Sequence, residues 1–535
     1  MMKEKSSQLG GIYLLSLLSG ILMYIGWPTI GFFPFLFLGL IPLFFIYSIL
    51  EKKQIKRKLL VLFTSFFLAH FIWIGGSLSW MYAVSVKTYF VAIILESLIF
   101  SLPFCLLFLS KGFGKNGKWF FFSFIWILME YLNQQWSIGT PYFILGSGLG
   151  QNPWLIQIYE YIGIEGGSVF ILLLNLSFFF IIENYRNKTK YTKNLVFMAI
   201  STLPFVCSLF IKTDSTQIKN DQLNISVLHT NLEPYSDENH AHPEKMINSL
   251  LAISKATSNN EELIVWPETI ISNMGWLTNQ QVDTTYKIIS NYYATNKPKF
   301  ALCLGGYAFS VNFKGKEDPY AQFEAQRGFY YNAHNVAMTY TNANLPDVRS
   351  KEIFVPFQER IPYLEHFPLM KYLADVVGAN TRVSLYEAGN EVHKTSNGHK
   401  FMPILCYESI FPLFLSEKGE EIDFYVILAN EYWNKNINGS EQYLYNNVAI
   451  AIQSRIPICR SSNGGISAII DKEGNIIATK KGNDVGLLNA KVEKKTEETV
   501  YESIRGVFSK IAMFGFFTII IIGLFQKLFL KKSNK

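Results

Sequence analysis

The chain has 535 residues, 50% of them hydrophobic and 16% aromatic, with a formal net charge of +7; its mean hydropathy is +0.18. That balance excludes a wholly soluble protein of this size and places part of the chain in lipid. The five cysteines are odd in number and widely spaced, which excludes a disulfide framework, and the Lys and Arg collect in short loops, which reads as membrane topology rather than nucleic-acid binding.

Residues 1–212 hold seven apolar runs close to the ~20 residues that a helix needs to cross a bilayer. They run from Gly10 to Trp27, Ile30 to Leu50, Leu59 to Tyr82, Tyr89 to Leu109, Trp119 to Leu132, Gly166 to Ile182 and Leu195 to Ile211, and an eighth, Ile511 to Leu530, closes the chain. The fifth is the shortest and carries Glu130, which is either a functional group, because an unpaired charge in lipid is costly, or a hydrated residue at the interface. The first run is followed at once by another and lacks a small-x-small cleavage site, so it is expected to be retained rather than removed as a signal peptide. The loops "EKKQIKRK", "KGFGKNGK" and "NYRNKTKYTK" and the C-terminal tail are basic and follow the even-numbered runs. The positive-inside rule therefore expects them in the cytoplasm and the domain after the seventh run outside it.

A polar linker, 213–222, leads to a globular segment, 223–505, and 506–535 carries the last span and tail. Strand-like runs occur at "LNISVLHTN", "ELIVWPE", "KFALCLGGYAF", "YYNAHNVAMTY", "KFMPILCYE", "FYVILAN" and "GGISAIID". Helix-period segments, Pro243 to Ser258, Asn279 to Thr295 and Ser440 to Ile456, alternate with several of them. The expected fold is a multi-span helical bundle with an inserted layered α/β domain.

Within that domain three expected strands carry an ionisable residue at an end: Glu268 ends the one in "ELIVWPET", Lys351 precedes and Glu359 follows the one in "RSKEIFVPFQERIP", and Cys406 ends "FMPILCYES". In layered α/β folds, strand ends bring distant side chains together. A carboxylate, an ammonium and a thiol suffice for acyl transfer: Glu268 as base, Cys406 as nucleophile, and Lys351 with the N–H of Tyr407 stabilising the oxyanion. Each residue also has an ordinary reading. An isolated Cys406 is more often a buried core thiol, Lys351 could be a solvated loop lysine, and Glu359 and Glu408 could be surface or salt-bridged carboxylates rather than groups that orient Lys351 and close the site. Cys303 and Cys459 lack ionisable company and read as core. No histidine pair has metal-ligand spacing, so neither metal nor cofactor is expected.

The Glu of "WPE", the Lys eight residues ahead of the Glu of "VPFQE", and the Cys of "CYE" resemble the Glu-Lys-Cys signature of the nitrilase superfamily. With the flanking spans, the chain is similar to the membrane-embedded apolipoprotein N-acyltransferase branch. The stretches "WILMEYLNQQWSIGTPYFILGSGLGQNPWLIQIYEYIGIEGGS" and "NEYWNKNINGSEQYLYNNVAIAIQSRIPICRSSNGGISAIID" extend that resemblance over nearly the whole chain. It implies an α-β-β-α sandwich and transfer of an acyl chain from a phospholipid, usually phosphatidylethanolamine, through a Cys406 thioester to the α-amino group of a diacylated lipoprotein. It also implies a place in the bacterial inner membrane with the catalytic domain on the periplasmic side; a monomer is expected. Glu359, Tyr407 and Glu408 are then supporting residues, and Asn231, Tyr235, Asn430 and Trp433 candidate substrate contacts.

The chain departs from that pattern at four places. Gln358 stands where Gly is frequent, which implies a different loop at Glu359. "HTNLEPYSDEN" has no Trp, leaving Tyr235 as its candidate replacement, Glu431 takes the place of an Asp, and Asn133 the place of an Arg. Two other functions are distinguishable by experiment: a membrane-tethered amidase in which water resolves the thioester, and a transporter or sensor whose external domain only binds ligand.

Overall fold

The computed structural model describes residues 2–52, 57–107, 114–211, 222–233, 243–255, 260–271, 273–277, 283–342, 344–367, 369–378, 383–434, 437–495 and 497–533. The greater part of the expected linker 213–222 lies outside them. The chain divides into two compact units, Met1–Lys212 with Ser503–Lys535, and Thr213–Glu502.

The first unit is helical. Among the described residues six segments are long and apolar enough to cross a membrane: Leu9–Gly26, Phe33–Lys52, Lys58–Ser77, Val86–Leu106, Tyr159–Arg186 and Val500–Ile522. The fifth and seventh expected spans are also helices, Gly114–Asn133, whose first turn reads GKNGK, and Thr192–Ser208, of 17 residues. The protein is multi-pass.

Between Asn133 and Tyr159 the chain is irregular, with short 3-10 turns at Pro141–Phe143, Leu145–Leu149 and Pro153–Leu155. Away from water, such backbone must find partners inside the protein. Glu130 supplies one: buried, it accepts from the Trp126 indole N–H at 2.8 Å and the Leu145 N–H at 3.0 Å. Tyr159 donates to the Gly146 carbonyl at 2.8 Å, and Ser168 takes the Gly146 N–H at 2.9 Å. Glu130 therefore holds a non-helical segment in place, a role that its position in an apolar run does not reveal. Asn175 does the same for another break, accepting from the Leu40 N–H at 3.0 Å and donating to the Leu36 carbonyl at 2.8 Å.

The second unit is an α-β-β-α sandwich. The strands are β1 Gln222–His229, β2 Leu263–Val265, β3 Ala301–Asn312, β4 Gln322–Glu324, β5 Phe329–Tyr340, β6 Asp347–Ser350, β7 His393–Lys394, β8 Lys400–Leu405, β9 Phe424–Asn430, β10 Ile458–Asn463, β11 Ile466–Ile470, β12 Ile476–Lys481 and β13 Gly486–Glu493. One sheet runs β13-β1-β2-β3-β5-β4 with β6 on β5, the other β12-β11-β10-β9-β8-β7. Period-two patterning puts Ile225, Val227, Val265, Cys303 and Ala337 of the first sheet against Leu405, Val426, Leu428 and Cys459 of the second, an apolar layer between the sheets. Burial there pushes the Cys303 thiol up to about 12 and raises that of Cys459 as well, in keeping with their reading as core residues.

The helices Pro243–Lys255 and Thr284–Asn296 cover the outer face of the first sheet through Ile247, Leu250, Leu251, Ile289 and Tyr293. Helix Ile437–Ser454 packs on the second. At the C-terminal ends of β1 and β10 the sheets are stitched together, for Thr230, just past β1, bridges to Asn463 of β10, and the Gly464 N–H donates to the Thr230 carbonyl at 2.7 Å.

One expectation is corrected. The apolar run "IFVPF" after Lys351 is not a strand; Lys351 follows the short β6, and residues 351–361 form a tight loop. The left-handed backbone at Phe357, φ 63°, and the 2.9 Å bond from its N–H to the Arg360 carbonyl turn the chain where a strand would continue. Gln358 is not at the strained position. Replacing Gly there thus places no side chain in the left-handed region.

Candidate active site

Glu268 stands three residues past β2, on a turn anchored by Thr269, whose φ is 61° and whose N–H donates to the Gly305 carbonyl at 3.0 Å. Gly305 permits that approach, because a Cβ there would lie 3.2 Å from the Glu268 Cα and 3.3 Å from the Leu405 side chain. The carboxylate is buried. Its Oε1 accepts from the Asn335 amide at 2.6 Å and from the Lys351 ammonium at 3.4 Å.

Lys351 is 1% exposed, so it is not a solvated loop lysine. Its Nζ also donates to Glu359 Oε1 at 2.8 Å, and its backbone N–H to the Asn335 carbonyl at 2.8 Å. The other Glu359 oxygen takes the Val355 N–H at 2.8 Å, which locks the loop around the lysine. Two carboxylates thus share one ammonium. Burial works against the charge on Lys351, but Glu268 and Glu359 outweigh it and hold the ammonium well above its ordinary range. Glu359 has the shorter bond. Glu268, with the weaker share of the cation, is raised above the usual carboxylate range, first by burial and then by Glu359, against the pull of Lys351 and Asn335.

Cys406 follows β8 directly, in the left-handed region with φ 44°, and opens a 3-10 turn, Cys406–Ile410. A non-glycine residue held there is strained by about 1–2 kcal/mol, so the surroundings must impose the conformation. They do so through Glu408, which is fully buried and accepts from the Leu405 N–H at 2.9 Å, the Glu352 N–H at 2.7 Å, and both terminal nitrogens of Arg349 at 2.7 and 3.2 Å. Asn447 adds a 2.9 Å bond to the Ser409 carbonyl. Glu408 is therefore a buried salt-bridge partner that ties the Cys406 turn to the Lys351 loop. Cys406 is half-buried as a residue. It lies within electrostatic reach of both Glu268 and Lys351: burial and the carboxylate raise its pKa, and the ammonium opposes them.

The other candidates are placed differently. Tyr407 is buried, its ring edge-on to Phe411 at 5.3 Å. Asn430 ends β9 with its Oδ1 accepting from Asn463 at 3.2 Å, and Asn463 in turn bonds Thr230 and both backbone groups of Leu232. Asn231 donates to Asn483 at 2.6 Å. The amides of Asn231 and Asn430 thus serve the seam between the sheets, whereas Trp433 is 40% exposed. Tyr235 lies outside the described residues. Glu431, in the place of an Asp, pairs with the buried Arg460, which also bonds Asn447 and the Ile466 carbonyl.

Sequence reasoning missed Asn335, Arg349 and Arg460. The available signal was a polar residue inside an otherwise apolar, period-two strand, "NAHNVAMTY" for Asn335 and "PICRSSN" for Arg460.

A two-sheet sandwich with a cysteine, a lysine and paired carboxylates gathered at its strand ends is a nitrilase-like domain. The chain belongs to the carbon-nitrogen hydrolase family, which residues 231–501 match. Residues 19–177 match the family described as the apolipoprotein N-acyltransferase N-terminal domain. Similar proteins named apolipoprotein N-acyltransferase occur in Rickettsia prowazekii, 24% identical over 91% of this chain and 93% of the relative, and in Chlorobaculum tepidum, 24% identical over 91% and 92%. Another, from Rickettsia bellii, is 26% identical over 96% of this chain and 95% of its own.

Proposed function

We propose that the protein is a membrane-embedded N-acyltransferase that moves an acyl chain from a phospholipid, through a thioester on Cys406, to the α-amino group of a diacylated N-terminal Cys of a lipoprotein. The observation that carries this reading is a half-buried cysteine within electrostatic reach of one ammonium and one carboxylate of raised proton affinity, in a chain whose other unit is a bundle of apolar helices. The names of the full-length relatives support the same acceptor. The basic loops after the even-numbered spans support a site on the periplasmic face of the inner membrane.

In the first half-reaction Glu268 takes the thiol proton as Sγ attacks the ester carbonyl of the donor. The oxyanion that forms is stabilised by the Lys351 ammonium and the N–H of Tyr407. Collapse expels the lysophospholipid alkoxide, which recovers the proton from Glu268 and leaves the acyl group on sulfur. In the second half-reaction the acceptor amine attacks the thioester, Glu268 takes a proton from the nitrogen, and the thiolate leaves and is reprotonated. Glu359 keeps Lys351 charged and fixed throughout. Phosphatidylethanolamine is the donor we expect.

The test is the full chain in detergent with phosphatidylethanolamine and a diacylated lipopeptide. The expected product is the triacylated peptide together with lysophospholipid. Release of free fatty acid with no acylated peptide would instead support the hydrolase in which water resolves the thioester, and neither product would sink both readings.

A pH dependence follows from the state of Glu268. It acts as a base only when ionised, and burial raises its proton affinity. As pH falls, kcat/KM should therefore decline with a midpoint above the ~4.3 of a free glutamate. A midpoint at or below that value would remove Glu268 from the role.

A further inference from the structure

Asn335 lies inside β5, paired with Tyr307 of β3, on the face that carries Ala337 into the layer between the sheets. It is 1% exposed. Its amide nitrogen donates to Glu268 Oε1 at 2.6 Å and to Glu359 Oε1 at 3.0 Å, the same two oxygens that receive the Lys351 ammonium. Its backbone carbonyl takes the Lys351 N–H. The amide could not be turned the other way, because its oxygen would then face two carboxylate oxygens. In this orientation Oδ1 has no hydrogen-bond partner among the described residues. Burying an amide oxygen unpaired is unfavourable, so the side chain is held by its two donor bonds alone.

We propose that Asn335 is a positioning residue of the proposed acyl transfer, a neutral clamp that fixes Glu268 and Glu359 on either side of Lys351 and keeps Glu268 ionisable as the base. A second cation in its place would also hold the carboxylates, but it would draw Glu268 into a tight ion pair and blunt it as a base. A hydrophobic residue would leave two buried carboxylates to one ammonium, and the less tightly held of them, Glu268, would retain its proton. The amide stabilises the ionised form without adding charge. Among the described residues, the charged and titratable groups that face Glu268 are Lys351, Glu359 and Cys406, and none lies on the strand of Asn335.

This inference rests on the Glu268-Lys351-Cys406 reading, and its test separates the two. Acyl transfer by the full chain is measured as kcat/KM against pH for the wild type, Asn335→Leu, Asn335→Asp and Glu268→Gln. Removing a donor to the ionised form makes Glu268 harder to ionise, so the acidic limb should move to higher pH, by about one unit in the leucine variant. It should move further in the aspartate variant, which keeps the shape of the side chain and adds a third negative charge. If the leucine variant does not fold, the aspartate variant carries the test. Lower activity with an unmoved limb in the folded variants would reduce Asn335 to a structural residue and overturn the inference. An acidic limb that persists in an active Glu268→Gln enzyme would overturn the triad reading and the clamp with it, whereas a dead Glu268→Gln beside an unmoved Asn335 limb would overturn the clamp alone.

Discussion

Cys406→Ala is expected to lower acyl transfer by roughly 10³-fold or more, the scale on which removal of a covalent nucleophile acts, and to abolish any acyl-enzyme. The size follows from the chemistry. Without sulfur, Glu268 and Lys351 still face the donor ester, but no covalent intermediate divides transfer between two large, separately bound lipids into two steps. The fold should be indifferent to the change. The left-handed backbone at residue 406 strains alanine about as much as cysteine, so the apparent melting temperature should remain within a few degrees. Cys406→Ser keeps a hydroxyl of similar size and should be nearly as inactive, since an alcohol is much harder for Glu268 to deprotonate than a thiol. Substantial transfer by either variant would exclude a thioester on Cys406.

Glu408→Ala is expected to act on stability instead. Glu408 touches no reacting group, yet it accepts from Arg349 twice and from the Leu405 and Glu352 N–H groups. Its loss strands a buried guanidinium, with Glu352 at 3.2 Å as its remaining partner, and frees the turn that forces Cys406 into its strained conformation. Breaking a buried ion pair from one side costs about 3–5 kcal/mol, enough to lower the apparent melting temperature by roughly 10 °C in a unit of this size. Removing both partners, as in Arg349→Met with Glu408→Leu, should restore part of that loss, because no charge is left unpaired. A double variant less stable than Glu408→Ala alone, or a Glu408→Ala protein that melts like the wild type, would show that the pair does not hold the turn.

These two glutamates and a cysteine also mark what could be read without coordinates. Cys406 and Glu268 were legible because each ends a strongly apolar run, and such runs become strands whose ends face a site. Lys351 was legible only through its spacing from Glu359; the run between them looks like a strand, and it is the turn at Phe357 that makes it a loop. Glu408 was visible as a carboxylate two residues past Cys406, but its partner Arg349 was not, since nothing in "DVRSKE" says that the arginine is buried against a counter-ion 59 positions away. β10, "ICRSSN", was hidden because it is fully buried yet largely polar, its Arg460, Ser461, Ser462 and Asn463 satisfied by Leu228 of β1 and by Leu232 and Glu431 just past β1 and β9. Asn335 falls in the same class. Local patterning reports which face is apolar, whereas the pairing of buried polar groups depends on contacts distant in sequence.

The most direct test of the account is peptide mass spectrometry on the full chain after incubation with phosphatidylethanolamine of defined acyl composition and no acceptor. The expected result is one acyl group of the donor's mass on the peptide containing Cys406, labile to hydroxylamine, absent from Cys406→Ala, and discharged when a diacylated lipopeptide is added. Acylation found on another residue, or a Cys406 peptide that stays unmodified in an enzyme that completes transfer, would contradict it.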